Sequence, residues 1–260
     1  MRRIGICIIA AAFGFSLSAA VAQDKWANLK GQIVFKGTDP GRKDLPFQNN
    51  PDKQACLKDK DTKDEDWIIN PTNKGIKNVF VWIRPAGAAK DAAFPVNMIH
   101  PSLAKPAVGE VVIDQPCCRF IPHVLAAREG QTLLIKNSAP VAHNSKWESN
   151  NNGAFNPILP AGGSFKLPKA LVAESSVITL QCSIHPWMKA HVRIFDHPYY
   201  AITDEDGKFE IKNAPAGKYA VFYWHPTNGW LGGRAGNNGY EMDIKPGDVD
   251  LGKKDMEKNN

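Results

Sequence analysis

The sequence predicts an all-β protein, on three observations. Its apolar segments are nearly all short and rich in β-branched or aromatic residues, Gly and Pro turns separate them, and no amphipathic helix of ordinary length occurs. Many short strands divided by turns mean sandwiches or barrels.

The chain opens with secretory logic. Arg2 and Arg3 precede the apolar run from Ile4 to Leu17, and Ala20-Val21-Ala22 offers cleavage before Gln23. Residues 1–22 are therefore expected to be a signal peptide, and the mature chain periplasmic or secreted. Polar character resumes at Gln23 and Asp24, and no later segment is apolar for long enough to span a bilayer, so no membrane span is expected after cleavage. Cys7 lies too early to be a lipidation site.

The 260 residues exceed one typical domain, and 43% hydrophobic with 22% charged residues is an ordinary globular composition. The formal net charge is +6, and two of the arginines leave with the signal peptide. The lysines alternate with acids, as in Lys58-Asp59-Lys60-Asp61, and form no basic stripe with interleaved aromatics, so nucleic acid is not an expected partner.

Strands are expected at Gln32 to Lys36, Val79 to Arg84, Val111 to Ile113, Val124 to Arg128, Thr132 to Asn137, Ser164 to Leu167, Val177 to Cys182, Ala190 to Phe195, Phe209 to Lys212 and Tyr219 to Trp224. Turns fall at Glu129-Gly130-Gln131, Ala161-Gly162-Gly163, Asp206-Gly207-Lys208 and Pro215-Ala216-Gly217. Residues 86–109, rich in Ala and Pro without periodicity, are expected to connect two domains, and residues 251–260 to be a frayed C-terminus.

The segment Cys182-Ser183-Ile184-His185-Pro186-Trp187-Met188 follows a strand, so one strand end and one loop offer three ligands. Ile178, Leu180 and Cys182 share a strand face, which turns the thiol inward. His143 follows the end of another strand and is the fourth candidate. A thiolate with two imidazoles and a weak axial thioether is the blue-copper donor set. Zinc suits the His2Cys part, but thioether is a poor zinc ligand. One type 1 copper per chain is the expected cofactor.

These four residues, in this order, make residues 110–196 resemble a cupredoxin, and the short Cys-x-x-His-x-x-Met loop is similar to that of the amicyanins within the plastocyanin-like blue copper domains. The resemblance implies a Greek-key sandwich and a bridging, hydrogen-bonding role for Asn144, which follows the first His ligand. It also implies that His185 is the exposed ligand through which electrons leave, with Pro186 and Trp187 in the surrounding apolar patch. Related exported proteins carry a cysteine in an Asp-Gln-x-x-Cys pattern, matched here by Asp114, Gln115 and Cys118. That likeness implies a disulfide from Cys56 to Cys118, with Cys117 as the alternative partner.

Other constellations point less far. Cys182 and His185 imitate a catalytic dyad, but no oxyanion donor or orienting residue is evident and Met188 would go unexplained, so no enzyme activity is expected. His100, His123, His191, His197 and His225 show no metal-pair spacing and are expected to be structural. Thr203-Asp204-Glu205-Asp206-Gly207 lacks the ligands of a calcium loop and suits a β-turn.

Ala201 to Trp224 resembles the second half of a carboxypeptidase regulatory-like β-sandwich, and Gly31 to Phe35 with Asn78 to Ile83 resemble its opening strands. The implied architecture is a discontinuous sandwich over residues 23–85 and 197–250, interrupted by the cupredoxin. Tyr219, Val221 and Tyr223 alternate with Ala220, Phe222 and Trp224, as in a central or interface strand. Together these features imply an exported one-electron carrier serving redox partner proteins. A copper carrier or sensor, or a structural or glycan-binding surface protein with a vestigial site, would use the same fold.

Overall fold

The computed structural model describes residues 25–47, 50–59 and 61–259, and the signal peptide expected at residues 1–22 lies outside them. Among the described residues strands dominate, and the longest helical element is the six-residue 3-10 turn Gly233–Asn238; the fold is all-β. Among the described residues no helix is long and apolar enough to cross a membrane.

Two sheets enclose the first core. One has the order Lys208–Pro215, Trp26–Phe35, Gly247–Met256, its first pair antiparallel and its second parallel. The other has Phe80–Pro85 between Tyr200–Ile202 and Gly217–His225, and the last strand also pairs with Gly229–Trp230 and Tyr240–Ile244. Leu29, Ile33 and Phe35 enter the core from one sheet and Val81, Ile83, Val221 and Tyr223 from the other. Each such side chain, fully withdrawn from water, stabilises the fold by about 1.5–3 kcal/mol. The turn at Asp204 to Gly207 presses onto this sheet pair: Gly207 has φ +72°, and a Cβ there would lie 2.2 Å from the Ile33 carbonyl oxygen.

A second core fills the middle of the chain. One sheet has the order Ser164–Lys166, Thr132–Lys136, Glu110–Ile113; another has Ile178–Gln181, Lys189–Phe195, Val124–Arg128. Val124–Arg128 lies in the opposite sheet from both its sequence neighbours, so the chain crosses between layers. The crossing leaves parallel pairs, Glu110–Ile113 with Thr132–Lys136 and Val124–Arg128 with Lys189–Phe195. Ile113, Leu133, Ile135, Leu180, Val192 and Ile194 are inside.

Gly217–His225 is apolar on both faces for a visible reason. Its second face, with Ala220 and Phe222, joins Phe80 and Trp82 in a third cluster that includes Val124 and Phe195 from the other sheets. Trp82 stacks on Phe222 with ring centroids 5.1 Å apart and receives the buried Arg193 guanidinium 4.1 Å over its face.

Several sequence expectations need correction. The frayed end expected at residues 251–260 is corrected over residues 251–256, because the strand Gly247–Met256 runs beside Trp26–Phe35 and buries Met256 completely. Its charged outer face, Asp250, Lys253 and Asp255 among others, masks a half-buried strand. The segment around Phe47 and Cys56 packs with the second core rather than with the strands at residues 26–35 and 80–85. The 86–109 connection is a pinned strap: Phe94 is buried, the Tyr199 hydroxyl donates to the Met98 carbonyl and accepts from the His100 N–H, and Arg128 donates to the Leu103 carbonyl.

Candidate metal centre

The strand Ile178–Gln181 alternates as its sequence dictates, with Ile178 and Leu180 buried, and Cys182 continues on the same face at 2% exposure. The turn beyond it is closed by its own backbone. The Cys182 N–H donates to the Met188 carbonyl at 3.2 Å, and the Met188 N–H to the His185 carbonyl at 2.9 Å. Three candidate ligands are thereby gathered on seven residues, and Met188 is itself buried in the second core.

His143 arrives from a separate ribbon, His143–Asn144 paired with Ile158–Leu159. Reciprocal backbone bonds between Lys146 and Gln181 tie that ribbon to the cysteine strand. Asn144 completes the bridge. Its Oδ1 accepts from the Ser183 N–H at 2.6 Å and the Ile184 N–H at 3.2 Å and lies 3.3 Å from Cys182 Sγ, while Nδ2 donates to Asn156 Oδ1 and Ser183 Oγ.

The result is a buried triangle of donors. His143 Nδ1 and His185 Nδ1 are 2.9 Å apart, and Cys182 Sγ is 4.0 Å from the first and 3.9 Å from the second. In a triangle with these sides, a point about 2.0 Å from both nitrogens falls about 2.3 Å from the sulfur, the lengths a metal such as zinc keeps to imidazole and thiolate. The residues therefore fit a metal ion of that size, and Met188, buried on the same loop, adds a thioether to the donor set, which suits copper better than zinc. Another trio, Cys56, Cys118 and His185, also brings its donor atoms within 4.8 Å of one another, but its two sulfurs are joined in a disulfide.

Electrostatics keep both imidazoles available as ligands. Burial, and then the neighbouring His185, hold the His143 pKa down to about 4. Burial lowers His185 too, against the upward pull of the Asp52 carboxylate. Both rings are thus neutral at pH 7 and offer lone pairs. The Nε2 of His143 is buried with no hydrogen-bond partner among the described residues.

The disulfide joins Cys56 to Cys118, with S–S 2.04 Å and Cα atoms 5.0 Å apart. The expectation of an exposed His185 with Pro186 and Trp187 around it is corrected. His185 is fully buried, because the segment carrying Asp52 and Phe47 covers it. Phe47 meets the Trp187 ring edge-on at 5.1 Å, and the Trp187 indole N–H donates to the Cys118 carbonyl. Pro186 alone of the three is exposed.

Asp52 is the residue that sequence reasoning missed. Its Oδ2 accepts from His185 Nε2 at 3.1 Å across 133 residues of chain, a separation at which no spacing rule operates. The remaining histidines have local roles. His123 Nδ1 bonds to the Lys189 carbonyl, His197 Nδ1 accepts from the Tyr199 N–H, and His225 stacks on Trp67.

No protein-family model and no curated protein matches the chain. Parts of it are similar to solved copper proteins. A Cu(I) form of an amicyanin variant is 19% identical, covering 33% of this chain and 82% of that one, with TM-score 0.29. A purple cupredoxin from Nitrosopumilus maritimus is 25% identical over 32% and 97%, with TM-score 0.27. The chain also covers 26% of a Cu-containing nitrite reductase from Thermus scotoductus, 24% identical over 36% of this chain at TM-score 0.30.

Proposed function

We propose that the protein is an exported type 1 copper protein and carries single electrons between redox partner proteins. The observation that carries this reading is the buried triangle of His143 Nδ1, His185 Nδ1 and Cys182 Sγ, with Met188 on the same loop. Copper bound there supplies a one-electron Cu(II)/Cu(I) couple. The chain does the rest. His143, Cys182 and His185 would hold the ion, Met188 would offer a soft thioether, and Asn144 keeps the two ligand loops in register. Ligand loops fastened to each other by backbone and Asn144 bonds would resist rearrangement between the two oxidation states, which would limit reorganisation.

Coverage of His185 favours electron transfer over copper carriage. Handing over the ion requires an incoming ligand to reach it, and a fully buried His185 obstructs that entry, whereas an electron tunnels through the cover. The remaining sandwich, whose likeness to carboxypeptidase regulatory modules comes from the sequence, is a non-catalytic scaffold on this reading.

Cu(II) added to the mature protein is expected to produce an intense thiolate-to-copper charge-transfer band that Cys182→Ser abolishes. A colourless wild-type protein overturns the reading.

A further inference from the structure

A helix N-cap aspartate normally turns its carboxylate back on the first turn, and losing that bond costs about 1 kcal/mol. Asp52 occupies the N-cap of the short helix Lys53–Cys56, yet its side chain makes no capping bond. The carboxylate points away from the helix to accept the His185 Nε2–H at 3.1 Å. The segment that carries it is held on both sides. Cys56, four residues on, is bonded to Cys118; Phe47, five residues back, is buried against Trp187; and farther along the chain Arg119 grips the carbonyls of Asp61 and Lys63.

The hydrogen-bond partners also decide which ring nitrogen carries each proton. A carboxylate only accepts, so His185 is the Nε2–H tautomer and its Nδ1 is a lone pair. The two Nδ1 atoms at 2.9 Å then form a hydrogen bond only if His143 is the Nδ1–H tautomer, with the unpartnered Nε2 bare. His185 is thereby in the form that can bind a metal through Nδ1.

We propose that Asp52 is a positioning residue of the metal centre, locking His185 in the Nε2–H tautomer with Nδ1 aimed at Cys182 and His143. This inference rests on the copper reading for its purpose but not for its first readout. It assigns the segment around Asp52, which neither ligand loop contains, to the centre as the outer partner of one ligand, while His143 Nε2 has no such partner among the described residues. Groups in that position characteristically change metal affinity by about 10- to 100-fold.

The test uses the mature protein and its Asp52→Ala and Asp52→Asn variants. Long-range 1H–15N correlation spectra of the metal-free proteins read the His185 tautomer, and titration with Cu(II) against a competing chelator reads affinity. Wild type is expected to show a single Nε2–H tautomer at His185. Asp52→Ala is expected to show a mixture and to bind Cu(II) about 10- to 100-fold more weakly. Asp52→Asn keeps an acceptor oxygen and is expected to restore the tautomer and most of the affinity. An unchanged tautomer in Asp52→Ala, affinity within about twofold of wild type, or an Asn variant as weak as the Ala variant overturns the proposal. If wild type shows the tautomer but takes up no copper, the copper reading fails and the positioning role of Asp52 stands.

Discussion

His143 and His185 turn their Nδ1 atoms to within 2.9 Å of each other, although 42 residues separate them in the chain. Two neutral rings at that distance share one proton or one cation. The juxtaposition survives folding because backbone and side-chain bonds from Lys146 and Asn144 fasten one ligand loop to the other.

Asn144 is the fastening most exposed to test. Asn144→Ala removes the acceptor that serves the Ser183 and Ile184 N–H groups, at a cost of about 1–3 kcal/mol if they are left unpaired. Urea unfolding of the metal-free protein is expected to show that loss, and the copper-loaded variant a shifted charge-transfer band as the loop carrying Cys182 and His185 relaxes.

The Cys56 to Cys118 bridge closes a sequence separation of 62 residues. On the chain-entropy account, opening such a loop costs about 4 kcal/mol. The Cys56→Ser/Cys118→Ser double variant is expected to lose stability of that order in urea, and amide exchange over residues 50–58 is expected to accelerate because the tether holding Asp52 over His185 is gone.

Acid should act earlier on this protein than carboxylates alone would require. His191, His197 and His225 are each held down to about 3, first by burial and then by neighbouring positive or ionisable groups. In the unfolded chain they take up protons near the ordinary histidine value of about 6.5. A folded pKa depressed below the unfolded one gives stability that is full above about 6.5 and is lost progressively as pH falls toward 3. Denaturant midpoints of the metal-free protein are therefore expected to fall between pH 7 and 5, where Asp61 and Asp114, both lowered from 3.8, remain ionised. A flat profile over that range would refute the assignment.

Strand positions were legible where apolar residues alternate on a two-residue period, as in Ile178 to Cys182, or run unbroken through β-branched and aromatic residues, as in Tyr219 to Trp224. They were not legible at Gly247–Met256, whose exposed positions are mostly charged, nor in ribbons as short as His143–Asn144, where two residues carry no period.

The sequence by itself determined the all-β class and the donor loop, because Cys182, His185 and Met188 are neighbours at fixed short spacing and backbone geometry alone gathers them. Tertiary structure alone decided what lies over that loop. Asp52 reaches His185 across 133 residues, and its place depends on how the second core buries Phe47 and Cys56. Contacts within a turn are set by bond geometry; contacts between distant segments are set by which apolar surfaces pack together, and in this protein that packing turned an expected open edge into a covered one.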